Sequence, residues 1–101
     1  MDSGGSVSPG QKQIQVNFPA NLQAGVYSNN VIISHTKEEF VLDFMMVSPP
    51  AGSVVSRVVM NPGHMKRLIG ALVANLQNYE KRFGPLETSS EPKNNPGFPP
   101  A

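Results

Sequence analysis

The side chains able to do chemistry are few: His35, His64, Asp43, Arg57 and the adjacent pair Glu38 and Glu39. Two histidines with three carboxylates could hold a metal or share proton transfer. Their spacing argues against both. His35 falls at a strand end beside a turn and His64 in the first turn of a helix, with no His-x-x-x-His, no His-Glu-x-x-His and no carboxylate cage around either. No Gly-x-Ser-x-Gly, no Ser-His-Asp order and no paired catalytic carboxylates occur, so the reading is non-enzymatic, with no metal and no cofactor. Asn61-Pro62-Gly63 opens a helix whose free amides could receive an anion beside Lys66 and Arg67, but no phosphate-binding pattern precedes it, and a plain helix start is the better account. Asp43 and Arg57 carry more weight. They lie amid apolar side chains, where a charged pair is costly to desolvate and serves either to fix strand register or to anchor a bound peptide or ligand.

The elements that must position these residues can be read from periodicity. Gln13 to Phe18 alternates, with Ile14, Val16 and Phe18 on one side, as in a half-buried strand stopped by Pro19. A second strand is expected from Val26 to His35, with its polar centre Ser28-Asn29-Asn30 able to hold a bulge. The third, Glu39 to Val47, and the fourth, Ser53 to Met60, are apolar on both faces and rich in β-branched and aromatic residues. A four-residue turn at Thr36–Glu39 sets Ile33 opposite Leu42 and Val31 opposite Phe44. A connection over Ser48–Gly52 sets Val47 opposite Ser53, Met45 opposite Val55, Asp43 opposite Arg57 and Val41 opposite Val59. One face then collects Ile14, Val16, Phe18, Val31, Ile33, Phe40, Leu42, Phe44, Met46, Val54, Val58 and Met60. The reverse face gathers Ile32, Val41, Met45, Val47, Val55 and Val59 around Asp43 and Arg57.

A helix follows. Asn61 can cap it, Pro62 suits its first position, and Gly84-Pro85 ends it after Phe83. Met65, Leu68, Ile69, Leu72, Val73, Leu76, Tyr79 and Phe83 form one apolar stripe. The expected fold is therefore α+β: a four-stranded antiparallel sheet with one long C-terminal amphipathic helix packed on one face. One helix covers one face only. The reverse face, with Ile32, Val41, Asp43, Met45, Val47, Val55, Arg57 and Val59, is then the expected surface for self-association as a dimer or tetramer, or for a partner.

Composition narrows the partners. The 101 residues leave room for one domain, and a formal net charge of +1, from 8 Lys and Arg against 7 Asp and Glu, recommends neither nucleic acid nor an acidic membrane. Lys66, Arg67, Lys81 and Arg82 spread over the outer helix surface without interleaved aromatics and read as a solvated face. With no cysteine, thiolate sites and disulfides are excluded, which suits a reducing compartment. The first ten residues lack the charge and apolar run of a secretory leader, and no window is apolar enough to span a bilayer, so a cytoplasmic location is expected. Residues 1–10 and 87–101, rich in Ser, Gly, Pro and Asn, read as disordered tails around a domain at 11–86. Pro96-Gly97-Phe98-Pro99-Pro100 has the proline spacing of a polyproline-II ligand.

The run Val26-Tyr27-Ser28-Asn29-Asn30, then Glu39 to Phe44, Arg57-Val58-Val59-Met60 with Pro62, and the helix end Leu76 to Gly84 resemble a small prokaryotic family known only as a domain of unknown function. The likeness covers residues about 13–86 and implies no activity. More coarsely, four antiparallel strands before a long helix are similar to the bacterial export chaperone SecB and its relatives, from which this chain departs in having one helix and little acidic character. That resemblance implies an oligomer holding polypeptide clients on an apolar sheet face or groove. The alternative is a structural subunit of a cellular or phage-derived assembly with no further ligand.

Overall fold

A computed structural model of the chain describes residues 13–89. The expectations for the segment 1–10, for most of 87–101 and for the Pro96–Pro100 motif lie outside the described residues. The elements are a 3₁₀ turn at Ala20–Leu22, β1 at Asn30–His35, β2 at Phe40–Ser48, β3 at Ala51–Met60 and α1 at Pro62–Phe83. The strands form one antiparallel sheet in the order β1-β2-β3.

The sheet has three strands among the described residues, not four. Ile14, Val16 and Phe18 alternate as a strand should, yet each is at least half exposed and residues 13–18 join no ladder among the described residues. Alternation supplies an apolar side but no neighbouring backbone to bond with. Instead, after Pro19 the chain makes the 3₁₀ turn, bends at Gly25 with φ 72°, and passes beside β3, where Asn21, Leu22, Gly25 and Val26 share a cleft with Val55 and Ser56.

β1 is also shorter than its apolar pattern, because polar side chains take over the ladder. Asn29 donates its backbone N–H to the Met45 carbonyl at 3.0 Å. Its side-chain amide then accepts from the Val47 N–H at 2.8 Å and donates to the Val47 carbonyl at 2.9 Å, doing for β2 what a peptide group of a longer β1 would have done. The Ser28 hydroxyl donates to the Met45 carbonyl at 2.9 Å. The strand stops here where a bulge was expected.

The β1–β2 register is the expected one, with Ile33 opposite Leu42 and Val31 opposite Phe44. At the turn between them Thr36 donates its N–H to the Glu39 carbonyl, and its hydroxyl accepts from the N–H groups of Glu38 and Glu39. The β2–β3 register agrees only in part. Asp43 lies opposite Arg57 and Val41 opposite Val59, but Met45 meets Val54 and Val47 meets Gly52, with a shift between Phe44 and Met45. The cause is the connection. It is the two-residue turn Pro49-Pro50, with a cis bond between the prolines, and it brings Ser48 opposite Ala51. That turn demands a register one residue out of step with the Asp43–Arg57 pairing. The ladder absorbs the difference by leaving Val55 without an opposite number, as a bulge does. Val54 thereby joins Met45's side of the sheet instead of Val58's. Gly52 suits its place opposite Val47, since a Cβ there would come within 3.2 Å of a Val47 methyl.

α1 has the expected ends. Asn61 caps it by accepting the His64 N–H at 2.7 Å, Pro62 opens it, and Gly84, at φ 98°, donates its N–H to the Glu80 carbonyl. The helix is not, however, packed on a sheet face. β2 packs against both neighbours, whereas α1 makes only marginal contact with any strand, and of its apolar side chains Met65 and Leu68, near its start, are half-buried. A single residue, Asn61, separates the end of β3 from the start of α1, too little chain to reverse direction and lay the helix back over the sheet. Among the described residues the buried apolar side chains are accordingly Leu42, Met45 and Val47, at 5%, 2% and 4% exposure.

Candidate functional site

The residues expected on the reverse face come together on the sheet, but in two different states. Ile32, Asp43 and Arg57 form one cross-strand row, with Val41 and Val59 in the next. There Ile32, Val41 and Asp43 are half-buried, and Arg57 and Val59 are exposed. Met45 and Val47 are instead already buried within the chain, next to the Ser28 and Asn29 bonds to their backbone. Val55, displaced by the bulge, lines the cleft of about 170 Å³ with Asn21, Leu22, Gly25, Val26 and Ser56, none of which titrates.

Asp43 and Arg57 form a two-pronged ion pair: Arg57 Nε donates to Asp43 Oδ1 at 2.6 Å and an Nη donates to Oδ2 at 2.9 Å. The Asp43 side chain is 16% exposed and that of Arg57 66%. The hydrogen bonds from Arg57 hold the Asp43 carboxyl below its ordinary value, burial opposing the shift and the nearby charge adding to it. The same bonds and charge raise Arg57. The pair joins β2 to β3 at directly opposed positions, and two of the five N–H groups of the guanidinium go to Asp43.

The histidines stand apart from the pair. His35 lies against the Phe40 ring across the β1–β2 turn, with centroids 5.1 Å apart, and His64 sits exposed in the first turn of α1. Among the described residues no three His, Cys, Asp or Glu side chains gather as metal ligands. No helix among them is long and apolar enough to cross a membrane.

A further apolar surface lies open on α1. Ile69, Leu72, Val73, Leu76, Tyr79 and Phe83 of α1 are each 46–64% exposed along a single stripe. Sequence reasoning saw the stripe and assigned its cover to the wrong neighbour. On the sheet, the side shared by Val31, Ile33, Phe40 and Phe44, all half-buried, has Leu42 buried at its centre and Met46 and Val58 exposed.

Residues 2–88 match the family described as a protein of unknown function, DUF3467. The chain belongs to that family. No curated protein and no solved structure matches this DUF3467 chain.

Proposed function

We propose that the protein is a non-enzymatic binding protein that works as a homo-oligomer. One observation carries this: six large apolar residues on one stripe of α1 are about half exposed, while only three apolar side chains among the described residues are buried. Each fully buried aliphatic side chain contributes about 1.5–3 kcal/mol. A core this small, filled out by half-buried neighbours, leaves much apolar surface in water, which supports further burial against another copy. Sedimentation at micromolar concentration should give a dimer or tetramer; a monomer overturns the reading.

Within the oligomer, the sheet face with Met46 and Val58 offers extended apolar surface to a polypeptide client, and methionine adapts to varied side chains. The expected result is suppressed aggregation of an unfolded client at stoichiometric oligomer. The second reading, a structural subunit with no further ligand, draws support from Met45, which is 2% exposed and already spent on the chain's own packing. Undiminished client aggregation together with intact oligomers would favour it.

A further inference from the structure

The stripe on α1 has the spacing of a helix that pairs with another helix. Met65, Ile69, Leu72, Leu76, Tyr79 and Phe83 follow one another at alternating steps of four and three residues, the 3.5-residue period of a coiled-coil seam, with Leu68 and Val73 on its flanks. The opposite side of the helix carries Arg67, Gly70, Ala74, Gln77 and Lys81, which suit water. Resting on the homo-oligomeric reading, we infer that two copies pair through α1 in antiparallel orientation, centred near Ala74.

Three features select this occupant and this direction. First, the alignment fills every layer: Met65 meets the partner's Phe83, Ile69 the partner's Tyr79, and Leu72 the partner's Leu76. Second, charges match on the flanks. Lys66 faces the partner's Glu80, and by symmetry Glu80 faces the partner's Lys66, while Val73 meets its own counterpart. A parallel pair would lose both ion pairs and would stack the Lys81-Arg82 ends of two copies on each other, like charge on like. Third, the area suffices. The six open stripe residues each expose on the order of 100 Å². Closing two stripes together then removes about 1,200 Å², the lower bound for specific, stable interfaces.

The chain has no cysteine, so single substitutions report geometry cleanly. Val73→Cys should be joined into a covalent dimer by a short bis-maleimide. Ala74→Cys, next in sequence but on the outer side, and Tyr79→Cys, far from its counterpart in an antiparallel pair, should stay unlinked. Lys66→Glu or Glu80→Lys alone should weaken self-association about three- to tenfold, and the double exchange should restore it. Linking through Tyr79→Cys would show a parallel pair and overturn the inference. A stable oligomer in which Val73→Cys links no better than Ala74→Cys would also overturn it, while leaving the homo-oligomeric reading in place. A monomeric wild type would remove both.

Discussion

Asp43 and Asn29 show two ways in which a single polar side chain holds this sheet. The Asp43 carboxylate, lowered from its ordinary 3.8 by hydrogen bonds from Arg57, contributes stability that is present above that value and lost as pH falls through its lower, folded-state value. Asp43→Asn should therefore be less stable than wild type at pH 7, and the gap between them should close on acidification below about pH 4, read as urea midpoints across a pH series. A gap independent of pH would show that the carboxylate's charge is not what matters. Asn29 acts without charge. Its amide satisfies both backbone groups of Val47, a residue only 4% exposed. Asn29→Ala strands those groups and should cost about 1–3 kcal/mol, seen as a lowered urea midpoint with an unchanged slope. Asp43–Arg57 was legible in the sequence, because matching apolar positions across a hairpin brings the two charges opposite each other. Asn29 was not. An asparagine inside a strand-like run looks the same whether its amide meets water or replaces a peptide.

Among the elements, α1 is the one whose limits owe least to tertiary contact. Its cap, its Pro62 opening and its Gly84 ending are local chemistry. Asn61→Ala should cost about 1 kcal/mol by releasing the His64 N–H, with a matching fall in melting temperature. Asn61→Asp should retain most of that stability, since a carboxylate accepts the same bond. The strands were less fully readable. β1 against β2 followed from a turn whose length was evident, Thr36 to Glu39. β2 against β3 was right from Asp43 towards Val41 and wrong beyond Phe44, because Pro49-Pro50 turns in two residues where five were expected. The segment 13–18 has the pattern of a strand but no ladder, since a period-two pattern describes side chains and a ladder requires backbone partners.

For the whole molecule, the decisive quantity is apolar surface without cover. If the folded chain depends on a second copy, its melting temperature should rise with protein concentration, by mass action, over a hundredfold dilution series. A concentration-independent midpoint would mean that the three-stranded sheet and α1 are sustained within one chain. The sequence by itself determined the short-range features: the helix and both its ends, the hairpin of β1 and β2, the Asp43–Arg57 contact, and an excess of apolar residues over what one small core can bury. Each follows from interactions within a turn of helix or across one hairpin, where residue type and spacing suffice. Only the tertiary structure decided that residues 13–18 stay outside the sheet, that Val55 is bulged, that Met45 and Val47 are buried, and that α1 is not laid along the sheet. Those outcomes depend on which surface meets which. Amphipathic patterning states that a face must be covered without naming its cover, and here one residue between β3 and α1 denied the helix its nearest sheet.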